Sequence, residues 1–209
     1  MAQSQKRQFR DAEITQKQIL DAAEIEFSRH GLKGARISAI AKQAKITTAM
    51  IHYYFENKEG LYRAVLQRPM EENQQFVEQL ELDHLSPEDA ITFIIRVAIA
   101  NEFRNPYRQM LWFQEASQNQ GLYFKQGNWS GIFERVIKVL ERGIESGDFR
   151  PVDDPMLMLT HILGVCIFYF TVQENWQHLT PDVDRLSPEK VEKHTEAAIA
   201  FVLAAIKKP

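Results

Sequence analysis

The chain has 209 residues, 44% hydrophobic and 25% charged, with a formal net charge of -3, which suits one large or two modest domains with a buried core. A single cysteine, Cys166, excludes an intramolecular disulfide, and nothing points to an oxidising compartment. The charge is unevenly spread: residues 1–68 hold 12 Lys+Arg against 7 Asp+Glu, and the remaining 141 hold 13 against 21. A basic first third on an acidic remainder fits a head that meets a polyanion and a body kept away from it.

No segment alternates with period two between hairpin-type turns, so the chain reads as all-α, with about nine helices. The N-terminus, MAQSQKRQFRDAE, is polar and has no apolar stretch. No signal peptide is expected there, a cytoplasmic location is, and residues 1–13 are expected to be flexible. The first helix is predicted from Thr15, as N-cap, to His30, with Gly31 as its stop. Its apolar residues Ile19, Leu20, Ala23 and Phe27 recur at helical spacing. Two short helices and a tight turn follow over residues 36–55. A fourth helix starts after Asn57 and meets Pro69 within its span.

Ser86-Pro87-Glu88 opens a fifth helix that runs to about Arg104, and Pro106 opens a sixth that ends before Asn119. A long helix is predicted from near Asn128 to Ser146, stopped by Gly147. Asp154-Pro155 opens the next, expected to end near Trp176. Ser187-Pro188-Glu189 opens the last, through about Lys207. Residues 155–173 carry no charge, but polar residues interrupt the stretch and acidic residues flank it. It reads as a helix enclosed by others rather than a membrane span.

The informative stretch is RISAIAKQAKITTAMIHYYFENKEGLY, residues 36–62. Ala41, at the crossing of its two short helices, allows close approach, and Ile46, Ile51 and Phe55 are placed to pack inward. Thr47 or Thr48 can cap the second helix. That leaves Thr48, Ala49, Met50, His52 and Tyr53 facing outward, where the first residues of a helix can reach base edges in a major groove. Lys58, in the first turn of the next helix, adds a cation suited to phosphate.

These residues resemble the tetracycline-repressor (TetR) family, whose signature is F-x-x-x-G followed by I-A-x-x-A-G-V-S-x-x-x-[IL]-Y-x-[HY]-F-x-x-K-x-x-L. The corresponding residues are Phe27 to Gly31, Ile40-Ala41, Ala44 to Thr47, Ile51 to Phe55, Lys58 and Leu61, and the run GIESGDFRPVDDP (143–155) resembles a later connection of that family. Two departures stand out: Lys45 replaces the usual turn glycine, and Arg36 stands where Ser or Thr commonly caps. The resemblance implies a helix-turn-helix DNA-binding domain over 1–65 and a helical ligand-binding and dimerisation domain over 66–209. It implies DNA contacts at Arg36, Ser38, Lys45, Thr47, Thr48, Ala49, Met50, His52, Tyr53 and Lys58. The region forming the effector cavity in relatives holds Phe103, Arg104, Trp112, Phe113, Tyr123, Phe124, Trp129, His161 and Phe168. A dimer interface is expected from the last two long helices, at Ile162, Gly164, Phe168, Ala198, Val202 and Ala205.

The expected partners are double-stranded DNA, an unidentified small-molecule effector and a second copy of the chain, with no membrane. No enzyme is expected, nor a metal or cofactor. His161 and Cys166 are five apart and share no helix face, Ser117 and Ser130 have no matched His and Asp, and no phosphate-loop or dinucleotide glycine pattern occurs. The competing reading is a helical small-molecule-binding module without DNA function, supported by the low net charge and by Lys45.

Overall fold

The structure is a computed structural model. It describes the chain apart from residues 1, 80, 81, 106, 128, 129 and 209, and the side chains apart also from those of residues 2–9, 70–79, 130 and 132. Ten α-helices are present among the described residues: α1 (Ala2–Gly34), α2 (Ile37–Ala44), α3 (Thr48–Phe55), α4 (Lys58–Gln79), α5 (Pro87–Arg104), α6 (Arg108–Asn119), α7 (Ser130–Ser146), α8 (Pro155–Thr171), α9 (Gln173–Leu179) and α10 (Pro188–Ile206). The chain forms two compact units, one of residues 1–72 with 110–128, the other of residues 73–109 with 129–209.

Local chemistry accounts for several of the helix starts. Ser86 accepts from Asp89 N at 3.1 Å, Asp154 from Met156 N at 2.8 Å, and Asn57 from Gly60 N at 2.7 Å, each filling an orphan amide. Thr15 differs from expectation. Its hydroxyl donates to the Asp11 carbonyl at 2.8 Å, inside a helix that already began at Ala2. Residues 2–14 are rich in Gln, Lys, Arg, Ala and Glu, which favour helix and contain no breaker. Pro106 and Asn128, expected to open helices, lie outside the described residues.

A single helix expected from Pro155 to about Trp176 is two, α8 and α9, bent by 57°. Near the bend Thr171 Oγ1 donates to the Ile167 carbonyl and Gln173 Nε2 to the Tyr169 carbonyl, competing with the backbone ladder. Among the described residues no single helix is long and apolar enough to cross a membrane.

In the first unit, Ile19, Ala23 and Phe27 of α1 are buried with Ile40 and Ala41 of α2, Ile51 of α3, and Leu61, Val65 and Leu66 of α4. Helix α1 breaks at Gly31, whose φ of 64° and ψ of 176° lie in a region open essentially to glycine alone. In the second unit α5, α7, α8 and α10 enclose a core that includes Ile91, Ile95, Leu140, Leu159, Cys166 and Val202.

Candidate nucleic-acid interface

The turn from α2 to α3 is built by backbone hydrogen bonds. Ile46 N–H donates to the Ala41 carbonyl at 3.0 Å and Lys45 N–H to the Lys42 carbonyl at 3.3 Å. This pairing ends a helix on a left-handed residue, a place glycine usually takes. Lys45 occupies it, with φ 58° and ψ 41°. The substitution therefore leaves the turn intact but puts a side chain where backbone strain is about 1 kcal/mol. Thr47 is the N-cap of α3 and accepts from Met50 N at 3.4 Å.

With Ile51 buried beneath it, α3 presents Thr48, Ala49, His52 and Tyr53 to solvent, with Met50 half-buried. Tyr53 is 81% exposed, its ring edge-on to Tyr54 at 5.1 Å. Arg36, Ser38, Lys45 and Thr47 are exposed as well. Arg36 gives no side-chain cap to α2; its own N–H donates to Glu26 Oε1 of α1 at 3.0 Å instead.

Lys58 is used differently from the sequence expectation. Its half-buried ammonium donates to the carbonyls of Ala35 at 2.9 Å and Lys33 at 3.3 Å, tying the first turn of α4 to the α1–α2 junction. The α3–α4 junction is equally tight. Glu56 has φ 64° and ψ -59°, and Asn57 N–H donates to the Phe55 carbonyl at 2.7 Å, a strained three-residue turn. A Cβ on Gly60 would lie 2.2 Å from the Phe55 carbonyl oxygen, so only glycine fits there.

Two contributors have no signal in local sequence. Glu26 lies ten residues from the amide it receives. Glu115 of α6 is buried, and Tyr62 of α4 donates to its Oε2 at 3.1 Å. The one available hint is that Glu115 sits four residues after the buried Leu111, which places a carboxylate on the inner face of its helix.

The residues expected to line an effector cavity fall into different places. Trp112 packs edge-on to Phe124 at 5.5 Å and Tyr123 to Tyr62 at 5.3 Å, all in the first unit. Phe113 is exposed, as are Phe103 and Arg104 at the end of α5, and His161 and Phe168 on α8. Trp129 lies outside the described residues. A cleft of about 410 Å³ in the first unit is lined by Leu32, Lys33, Lys58, Glu59, Gln118, Asn119, Gln120, Leu122 and Tyr123; Tyr123 alone comes from the expected set. In the second unit burial pushes the Glu102 carboxyl up to about 7, with the nearby Arg108 pulling the other way, and its Oε2 has no hydrogen-bond partner among the described residues.

Of the expected dimer residues, Ile162, Ala198 and Val202 are buried in the core of their own unit, so they cannot form an outer face. Gly164 and Phe168 are exposed and Ala205 is half-buried. The apolar surface left open runs through Leu157, His161, Gly164 and Phe168 on α8 and Ala197, Ala200, Phe201 and Ala204 on α10. Both sets recur at three- and four-residue spacing, one face of each helix.

Residues 19–65 match the family profile described as bacterial regulatory proteins, tetR family, and residues 87–202 the tetracyclin repressor-like C-terminal domain. The chain is 31% identical over 163 residues to the HTH-type transcriptional repressor NicS of Pseudomonas putida, covering 76% of each chain. It is 27% identical to the HTH-type transcriptional regulator RutR of Escherichia coli, covering 68% of each. A solved structure, the transcriptional regulator SCO4942 from Streptomyces coelicolor, shares the fold at 23% identity and a TM-score of 0.67, over 93% of this chain and 99% of that one.

Proposed function

The chain belongs to the TetR family of bacterial regulators, a DNA-binding transcriptional regulator by that membership, and from that premise we propose that it is a cytoplasmic homodimeric repressor released from its operator by a small molecule. The observation that carries the DNA-binding reading is the exposed surface of α3 on an intact helix-turn-helix. Thr48, Ala49 and Met50, in the first turn of α3, read base edges, with the threonine hydroxyl as hydrogen-bonding group and the alanine and methionine against thymine methyls. Tyr53, His52, Arg36, Ser38, Lys45 and Thr47 surround them and meet the phosphates.

Residues 1–65 form the DNA-binding part and 66–209 the effector-binding and dimerising part. The open apolar face of α8 and α10 supports pairing with a second copy about a two-fold axis. Two heads so related read a near-palindrome with half-sites about one or two helical turns apart. Effector and operator then oppose each other through one coupling free energy, about 1–3 kcal/mol in systems of this kind.

The test is a salt titration of the full-length protein on duplexes selected from a random-sequence pool. Sequence-specific binding whose affinity falls steeply with salt is expected. Absence of measurable binding to any duplex at low salt would sink the reading.

A further inference from the structure

Residues 110–128 belong to the same compact unit as residues 1–72, and a charged group lies at the join. Glu115 is 2% exposed. A carboxylate is tolerated in such a place only when donors fill its lone pairs. Four do so. Tyr62 Oη and Asn119 Nδ2 donate to Oε2 at 3.1 and 2.7 Å, and the N–H groups of Tyr123 and Phe124 donate to Oε1 at 2.7 and 3.3 Å.

Three of these donors lie within nine residues of Glu115 and shape the end of α6 and the turn after it. Tyr62 is different: it comes from α4, 53 residues away. Its ring is fully buried, edge-on to Phe27 of α1 at 5.0 Å and to Tyr123 at 5.3 Å. Burial, and then the Glu115 charge, push its hydroxyl well above the usual tyrosine range, so it stays a donor. One helical turn earlier, Lys58 is fastened to the α1–α2 junction. The start of α4 is therefore tied twice, to α1 and α2 by Lys58 and to α6 by Tyr62. Helix α6 is itself moored on α1, where Gln114 Nε2 donates to the Ser28 carbonyl at 2.5 Å.

Leu and Phe at these two positions would bury surface equally well but would slide. A buried hydrogen bond to a charge is directional, and it fixes register as well as proximity. We propose that Glu115 is a positioning residue for DNA binding: by holding Tyr62 it sets the direction in which α4 leaves the recognition helix, so the working DNA-binding unit includes residues 110–128. This rests on the DNA-binding reading above.

The test uses the full-length protein, a duplex selected by the wild type from a random-sequence pool, and the variants Tyr62→Phe and Glu115→Gln. Tyr62→Phe keeps the packed ring, so it remains informative should Glu115→Gln fold poorly. Affinity is measured well below each variant's melting temperature, across salt concentrations, and on duplexes whose half-site separation is changed by one base pair. Each variant is expected to bind the selected duplex about tenfold more weakly, the scale of one lost charge-assisted hydrogen bond. The salt slope should be unchanged, since no phosphate contact is removed, and discrimination against the altered separation should be lost. The double variant should lose no more than the worse single one, as for two ends of one interaction. Variants that melt earlier yet bind with wild-type affinity and wild-type separation preference would overturn the proposal and leave Glu115 a stabilising residue only. Recovery of no duplex by the wild type would overturn the DNA-binding reading and this proposal together.

Discussion

Lys58 Nζ donates to the carbonyl of Ala35 at 2.9 Å across 23 residues of sequence. The ammonium reaches the carbonyls that close α1, where the helix dipole also favours a cation. A lysine in the first turn of a helix beside the recognition helix invites assignment to phosphate, and the geometry instead makes it a brace between α4 and the α1–α2 junction. Replacing it with methionine, which keeps much of the apolar stem, is expected to lower unfolding stability by about 1–2 kcal/mol in urea titrations. Operator affinity should fall as well, while the slope of log affinity against log salt stays near the wild-type value. A direct phosphate contact would instead lower that slope by about one.

Lys45 offers a contrasting case. It holds φ 58° at the end of α2 without glycine's freedom. Lys45→Gly is expected to raise stability by about 0.5–1 kcal/mol, less the entropy glycine adds to the unfolded chain. Because Lys45 is exposed beside α3, the same change should weaken binding to all duplexes alike and reduce the salt slope. A stability midpoint that falls in urea would count against strain at this turn.

The contrast between these two lysines shows what was legible in sequence. Features written within a few residues are readable: the caps at Thr47, Asn57, Ser86 and Asp154, the breaks at Gly31 and Gly147, and the inward faces of α1 to α3. Features that join distant positions carry no local trace. Glu26 with Arg36, Lys58 with Ala35, and Glu115 with Tyr62 are separated by 10, 23 and 53 residues. Helix α8 fails for another reason. It is apolar nearly all round, so periodicity cannot distinguish Ile162, which faces the core, from Phe168, which faces outward.

Glu102 makes the second unit sensitive to pH. Burial raises its folded-state carboxyl from 4.5 to about 7, and the unfolded chain leaves it near the ordinary value. The folded state therefore holds this proton where the unfolded state has released it. Its influence on stability is fully favourable below about pH 4.5 and is lost as pH rises through about 7. At most this amounts to about 3 kcal/mol at alkaline pH, because a tenfold difference in proton affinity between the two states corresponds to about 1.4 kcal/mol. Glu102→Gln, neutral at every pH, is expected to stabilise the protein at pH 8 and to change little at pH 5. Urea titrations at the two values check this, and an equal effect at both would refute it.

The apolar face of α8 and α10 yields a prediction in which neighbouring residues on one helix behave oppositely. Phe168 and Phe201 are 61% and 65% exposed, whereas Ile162 and Val202 are almost fully enclosed. If the open face pairs with a second copy, a charge at Phe168 or Phe201 is buried without a partner in the dimer and is harmless in the monomer. Phe168→Glu and Phe201→Glu should therefore give folded monomers by light scattering, with helical content intact and cooperative operator binding lost. Ile162→Ala and Val202→Ala remove methyl groups from the chain's own core and should lower the melting temperature, by a loss of about 1–4 kcal/mol, without shifting the oligomeric state at a temperature where the protein is folded. A wild type that is monomeric at micromolar concentration, or a Phe168→Glu that stays dimeric, would place the contact elsewhere. The two classes of variant separate because each helix divides its residues by direction: one side closes its own unit and the other lies open to solvent.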